Sequence, residues 1–129
     1  MKGGCHCGDI RYEIQFKPFD ADICHCRDCQ KVTGSPIGVW MDFKTEQITW
    51  LKGVITEYQS STNIFRGFCL KCGSTLSYRN SDQPAYFTLS ITSLDDPNIV
   101  EPNYHIYTDN QVNWLTIQDD CKRYPKERS

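Results

Sequence analysis

Cysteine is the residue type in this chain whose number and spacing could do chemistry. The sequence of 129 residues contains eight cysteines, and seven of them fall in three groups. Thiolates separated by one or two residues are typical ligands of zinc, which binds four donors in a tetrahedron. The eighth, Cys121, has no partner at such a spacing and is predicted to be a free thiol. The groups are Cys5 and Cys7; Cys24, Cys26 and Cys29; and Cys69 and Cys72.

Eight cysteines in a short chain could also form a disulfide scaffold, and compartment separates the two possibilities. No apolar signal segment precedes Cys5 in this sequence, which favours the reducing cytoplasm. Thiols stay reduced there and available to metals. We therefore expect zinc rather than disulfides.

Two of the groups are predicted to form one closed zinc site. Cys69 and Cys72 are separated by two residues, and Gly73 permits the tight turn that follows. Cys5 and Cys7 have one residue between them, so the chain must bend there to turn both sulfurs the same way. Four thiolates leave no position for a substrate, which indicates a structural site.

Three cysteines remain for a second zinc, namely Cys24, Cys26 and Cys29. Three protein ligands with an open fourth position are the pattern of a catalytic zinc. Coordination lowers the pKa of a thiol, so thiol addition or elimination is the chemistry we expect here. The triplet could instead be a second structural site, completed by one of four residues. These are His25, His6, His105 and Cys121, of which His25 and His6 are more typical of polar neighbours than of ligands.

A period-two pattern of apolar residues dominates the chain and predicts a mainly β fold. One short helix is expected over residues 27–33, ended by Gly34 and Pro36. The length allows one domain, placed at residues 1–121, with a frayed tail at 122–129. The predicted strands are residues 10–16, 37–43, 48–51, 55–59, 64–68, 75–79, 86–92 and 104–108.

Charge and composition exclude several classes of partner. The chain has 14 basic and 16 acidic residues and a formal net charge of -2, so it lacks the basic excess that nucleic acid or an anionic membrane would attract. No apolar run reaches the roughly 18 residues that a membrane span needs.

The motifs carry a resemblance that covers roughly residues 3–115. Residues 3–8 (GGCHCG), 24–31 (CHCRDCQK) and 68–74 (FCLKCGS) resemble the glutathione-dependent formaldehyde-activating enzymes, also called the centromere protein V family. Later residues are similar too: 94–97 (LDDP), Pro102, 105–106 (HI) and Trp114.

This resemblance implies a β-tent fold of small antiparallel sheets pinned by zinc. It implies two Zn²⁺ ions, a structural one and an active-site one. The activity that it implies is a carbon–sulfur lyase reaction written in reverse, in which glutathione condenses with formaldehyde to S-hydroxymethylglutathione. The structural zinc would be held by Cys5, Cys7, Cys69 and Cys72, and the active-site zinc by Cys24, Cys26 and Cys29.

Glutathione carries two carboxylates and needs basic donors near the triplet. The candidates are Arg27, Lys31, Arg66 and Arg79.

Two other functions compete with this one. A zinc-stabilised binding module would present an exposed aromatic patch, for which Trp40, Trp50 and Tyr58 are candidates. A methionine sulfoxide reductase of the B type could use Cys121 as nucleophile, although the chain lacks the motifs expected around such a site.

Overall fold

Strands make up most of the secondary structure, as the period-two pattern predicted. In the computed structural model, which describes residues 1–128, 39% of residues are strand and 15% are helix, which confirms the mainly β class. The strands within these residues are β1 (Lys2–Gly4), β2 (Arg11–Ile14), β3 (Asp20–Cys24), β4 (Gly38–Lys44), β5 (Ile48–Lys52), β6 (Thr56–Gln59), β7 (Ile64–Phe68), β8 (Thr75–Asn80), β9 (Tyr86–Ser90), β10 (Tyr104–Ile106) and β11 (Lys122–Arg123).

These strands form two sheets. The smaller one is antiparallel and has the order β1-β2-β5. The larger one has the order β11-β10-β3-β4-β9-β8-β7-β6. In it β10 runs parallel to both of its neighbours, whereas the other pairs are antiparallel. The large sheet therefore places β3, which leads into the cysteine triplet, four strands away from β7.

The main core joins the two sheets. Tyr12 and Ile14 of β2 form one buried cluster with Met41 and Phe43 of β4 and Leu89 of β9. Burial of a large apolar side chain contributes about 1.5–3 kcal/mol, so this cluster is the main source of stability that is independent of metal. A second, smaller buried cluster contains Cys5 and Cys69. Because this cluster buries few apolar side chains, a metal bound there would supply part of the stability that a larger core provides.

The one α-helix in the described chain, α1 (Arg27–Thr33), occupies the predicted range. It begins at Cys26, whose sulfur accepts a hydrogen bond from the backbone N–H of Cys29 at 3.3 Å. It ends at Gly34, where φ is 68° and the N–H bonds to the Gln30 carbonyl, a left-handed cap that glycine adopts readily. None of the helices in residues 1–128 could span a bilayer.

The structure corrects the sequence prediction for the chain end. Residues 122–129 were expected to be frayed, but β11 pairs with β10. Further backbone bonds join Tyr107 to Lys126 and Thr108 to Tyr124. The paired backbone groups tie this segment down, which a basic sequence with one proline did not reveal. Ser129 lies outside the described residues.

Candidate metal centres and the cavity beside them

Four cysteines from distant parts of the sequence converge at one point. The sulfurs of Cys5, Cys7, Cys69 and Cys72 all lie within 4.8 Å of one another. Cys7 Sγ is 3.6 Å from Cys5 Sγ and 3.8 Å from Cys69 Sγ. A tetrahedral zinc with bonds of about 2.3 Å separates its sulfurs by about 3.8 Å. The group therefore fits a closed four-thiolate site.

Local turns and hydrogen bonds position these sulfurs and favour the ionised form of Cys72. Gly73 has φ of 77°, and its N–H bonds to the Cys69 carbonyl at 2.8 Å, so the chain curls tightly between Cys69 and Cys72. Cys5 Sγ accepts a hydrogen bond from the N–H of Ile10 at 3.3 Å. The Ser74 hydroxyl and backbone lower the pKa of Cys72 to about 5, which favours the thiolate that a metal needs.

The second group is the triplet of Cys24, Cys26 and Cys29, whose sulfurs also lie within 4.8 Å of one another. Cys24 ends β3, Cys26 caps α1 and Cys29 lies in its first turn. Hydrogen bonds with the Cys24 and Cys29 sulfurs lower the pKa of Cys26, whereas the same network raises that of Cys24.

A cavity of about 390 Å³ opens onto the triplet and contains all three cysteines in its wall. This volume is in the range of small-molecule sites. A larger cavity of about 920 Å³ lies beside Cys5 and Cys72 and contains none of the triplet. We take the smaller cavity as the candidate substrate site because it holds the open group of thiols.

Arg66 lines the same cavity. The side chain is 6% exposed, its Nη1 lies 3.9 Å from Cys29 Sγ, and its guanidinium lies 5.1 Å from the centre of the Tyr78 ring. Its Nε has no hydrogen-bond partner, and no carboxylate among residues 1–128 forms an ion pair with it. A buried charge normally has a partner. The Cys29 thiol of the triplet lies within 3.9 Å of this guanidinium, so a thiolate there would pair with the charge.

The pairing of strands places Arg66 on the same face of the large sheet as Cys24. Direct cross-strand partners share one face of a sheet, and one row of partners runs from Asp42 through Thr88 and Tyr78 to Arg66. Asp20 of β3 begins that row. Cys24, four residues further along β3, points to the same face because side chains alternate.

Two carboxyl groups share this face and line the cavity, those of Asp22 and Asp42. Burial and the nearby Asp42 and Asp20 raise the pKa of Asp22 to about 7. Burial also raises the pKa of Asp42, whose Oδ1 accepts a hydrogen bond from Thr88 at 2.6 Å. Neither carboxyl group forms an ion pair within residues 1–128, so a cationic group of a ligand would stabilise the ionised form of both.

Of the four basic residues predicted to bind glutathione, Arg66 alone lines this cavity. Arg79 is bonded to Glu57 through Nε at 2.6 Å and Nη2 at 2.8 Å. Lys31 lines the larger cavity. Arg27 is exposed and donates to the side chain of Gln30.

Within the described chain, none of the four residues considered as completing the triplet joins it. His25 is 1% exposed and its Nε2 lies 2.8 Å from Nδ1 of His105, whose own Nε2 lies 2.9 Å from Asp119 Oδ2. His6 is exposed. Cys121, which was predicted to be a free thiol, is free in the structure and lies beside His105 and Asp119. Burial and Asp119 raise the pKa of this thiol.

The predicted aromatic patch is not assembled from its three candidates. Trp40 is buried, with 6% exposure. Trp50 is partly exposed and packs edge-to-face on Tyr12 and Phe87, while Tyr58 is exposed on β6.

Sequence analysis missed Asp22, Asp42 and Tyr78 as residues of the cavity. One signal was available for Asp22, because it precedes Cys24 by two residues and alternation places both on one face. No sequence spacing connects Asp42 or Tyr78 with the triplet, because they meet it only through pairing across the sheet.

Comparisons with known proteins agree with the motifs. The family model described as glutathione-dependent formaldehyde-activating enzyme matches residues 1–110. A crystal structure of a Rhodobacter sphaeroides protein superposes with a TM-score of 0.62 at 24% identity, covering 79% of this chain and 97% of that one. At this identity the likeness shows a shared fold. The family match ends before Asp119 and Cys121.

Proposed function

Because the chain belongs to the glutathione-dependent formaldehyde-activating enzyme family, we propose that it is a zinc-dependent carbon–sulfur lyase. It adds a thiol such as glutathione to a small aldehyde, or catalyses the reverse. In the forward direction a sulfur–carbon bond forms and the carbonyl π pair moves to oxygen. The oxygen gains the proton that the thiol loses, so the product is a hydroxymethyl thioether and no oxidation occurs.

The metal ligands are proposed from the chemistry of the two sulfur groups. Cys5, Cys7, Cys69 and Cys72 would hold a closed structural zinc. Cys24, Cys26 and Cys29 would hold a second zinc and leave one position open. A zinc ion bound there would act as a Lewis acid, which would lower the pKa of an incoming thiol and orient its sulfur.

Arg66 is proposed as the residue that stabilises the developing oxyanion. It is buried beside Cys29 without a carboxylate partner, and its Nε–H has no hydrogen-bond partner, so the N–H groups that do not face Cys29 can donate to negative charge that appears on the aldehyde oxygen. A donor that is already in place in a water-poor site contributes most when the charge develops.

Asp22 and Asp42 are proposed to face the cationic part of the thiol. Glutathione has one ammonium group, and these two carboxyl groups lack a cationic partner of their own. Their place in the cavity wall would orient the thiol with its sulfur toward the triplet and its amino group toward β4.

The observation that carries the proposal is the triplet itself. Three sulfurs line a cavity, no fourth cysteine or histidine in residues 1–128 joins them, and an unpaired buried arginine lies beside them. These features suit an open metal site with a reaction partner better than a closed structural site.

The experiment is an exchange measurement on the zinc-loaded protein. Because thiols and formaldehyde also equilibrate without a catalyst, the rate is followed at equilibrium by magnetisation transfer between ¹³C-formaldehyde and its glutathione adduct. We expect the parent to accelerate exchange and Cys29→Ser to leave only the background rate. A fully metallated parent that exchanges no faster than buffer contradicts the proposal.

A further inference from the structure

A third group of metal-binding side chains lies outside both sulfur groups. It contains His105 of β10 and two residues that precede β11, Asp119 and Cys121, and one donor atom from each lies within 4.8 Å of the others. None of them lines the triplet cavity. The group therefore shares no ligand with the centres described above.

Hydrogen bonds from neighbouring residues fix the orientation of two of these side chains, His105 and Asp119. His105 has its Nδ1 2.8 Å from His25 Nε2, which leaves Nε2 directed at Asp119 Oδ2 at 2.9 Å. The other carboxylate oxygen of Asp119 accepts hydrogen bonds from the Cys121 N–H at 3.0 Å and from Arg123 Nη1 at 2.9 Å. Metal ligands typically have such supporting contacts on the side away from the ion.

The hydrogen bond between His105 and Asp119 would by itself account for those two residues. The thiol of Cys121 adds a third donor to that pair, and its hydrogen-bond contacts in the described residues are a long one of 3.5 Å to the Pro102 carbonyl and one to the Asp119 side chain. The thiol sulfur, the imidazole nitrogen and a carboxylate oxygen lie close enough together to contact one ion. The hydrogen bond between His105 and Asp119 does not need the thiol at this position.

The donors also suit a zinc-type ion in chemistry and in spacing. Nitrogen, carboxylate oxygen and thiolate are all ligands of zinc, with bonds of about 2.0–2.3 Å, which place donor atoms about 3.3–3.6 Å apart in a tetrahedron. The His105–Asp119 pair would open by roughly half an ångström. His105 is 1% exposed, but the Asp119 side chain is 27% exposed, so an ion can enter from solvent.

We propose that His105, Asp119 and Cys121 bind a third divalent ion of the zinc type, with water in the fourth position. Asp119 and Cys121 lie in the stretch without regular structure between the turn at Thr108–Asn110 and β11. The ion therefore attaches that stretch to β10. This site does not depend on the function proposed for the triplet.

The test uses the full chain loaded with its tightly bound zinc and dialysed against rising free Zn²⁺. We expect one additional equivalent to bind to the parent. Cys121→Ser and Asp119→Asn should each lose that equivalent and keep the others. Asp120→Asn, which removes the neighbouring exposed carboxylate, is the matched control and should bind as the parent does.

Two further readouts separate binding from a folding defect. Co²⁺ added to the zinc-loaded parent should give a thiolate charge-transfer band that Cys121→Ser lacks, and Zn²⁺ should slow alkylation of Cys121 at least tenfold. The near-ultraviolet circular dichroism of both variants should match the parent. The proposal is overturned if the parent binds no additional equivalent at millimolar Zn²⁺, or if folded Cys121→Ser and Asp119→Asn still bind it.

Discussion

Arg66 places its Nη1 3.9 Å from the sulfur of Cys29, although the two residues are 37 positions apart in the sequence. The guanidinium is buried, and the thiol belongs to a cluster in which hydrogen bonds between the sulfurs lower the pKa of Cys26. Positive charge without a carboxylate partner and a group of sulfurs thus meet in one cavity wall. The proposed reaction depends on this arrangement, since it needs a site for a thiol and a donor for an oxyanion.

Replacing Arg66 tests the oxyanion role. Arg66→Gln should lower kcat for exchange by about 10²–10³-fold, the usual effect of removing one donor to an oxyanion. Arg66→Lys keeps the charge but not the planar donors, and should lie between Gln and the parent.

The matched control for Arg66 is Arg79→Gln. Arg79 lies on the neighbouring strand β8 and bonds to Glu57 at the surface, so its loss should leave kcat unchanged and alter stability by no more than about 1 kcal/mol. Equal losses of kcat in Arg66→Gln and Arg79→Gln would show a general effect of charge instead.

Replacing the triplet should separate activity from stability. Cys26→Ser and Cys29→Ser should abolish exchange and lower the zinc content by one equivalent. Their thermal unfolding should stay cooperative, because the main core is formed by apolar residues of β2, β4 and β9. Zinc content by elemental analysis and calorimetry check this together. Unchanged zinc content in either variant would exclude these cysteines as ligands.

The four-cysteine group should behave in the opposite way. Cys72→Ser should destabilise the fold by at least about 4 kcal/mol, which corresponds to a Tm lower by roughly 12–20 °C, because structural zinc contributes folding free energy. Chelation of the parent should give a similar loss in thermal melts. A Cys72→Ser protein with the Tm of the parent would contradict a structural role.

Asp42 should make stability depend on pH. Burial raises its pKa in the folded state, so the folded protein favours the protonated carboxyl, and ionisation as pH rises reduces stability. Asp42→Asn keeps an oxygen that can accept the Thr88 hydrogen bond and removes the charge. Its Tm should exceed that of the parent at neutral pH, and the difference should shrink as pH falls toward 4.

The pH experiment compares the two proteins at each pH, since both lose zinc in acid and that loss cancels in the difference. A difference in Tm that stays constant between pH 4 and 8 would mean that the charge of Asp42 is not the cause.

Short sequence patterns predicted the helix and most of the strands, because these elements depend mainly on residues that are neighbours in the sequence. The helix at Arg27–Thr33 follows from its cap at Cys26 and its end at Gly34, and most strands follow from their period of two. The strand Asp20–Cys24 was missed because its two aspartates and its alanine are poor strand formers. It forms because Ala21 and Ile23 are buried and its backbone pairs with Gly38–Lys44.

The candidate site also contains residues that the sequence predicted and residues that only the structure could identify. The grouping of seven cysteines was evident from spacing, because metal ligands close together in sequence must curl around one point. Arg66 could be named as one of four basic candidates but not chosen among them. The choice required the strand register that places Arg66 opposite Tyr78. Pairing across eight strands is a property of the whole chain, and no single segment encodes it.

The central claim is that the triplet is an open metal site that takes a thiol, whereas the four-cysteine group is closed. The most direct measurement is ¹¹³Cd NMR of protein loaded with two equivalents of cadmium and titrated with glutathione. We predict two resonances, of which one, absent in Cys29→Ser, shifts toward the position of a four-sulfur site as glutathione is added, while the other stays fixed. Two resonances that both stay fixed at saturating glutathione would contradict the account.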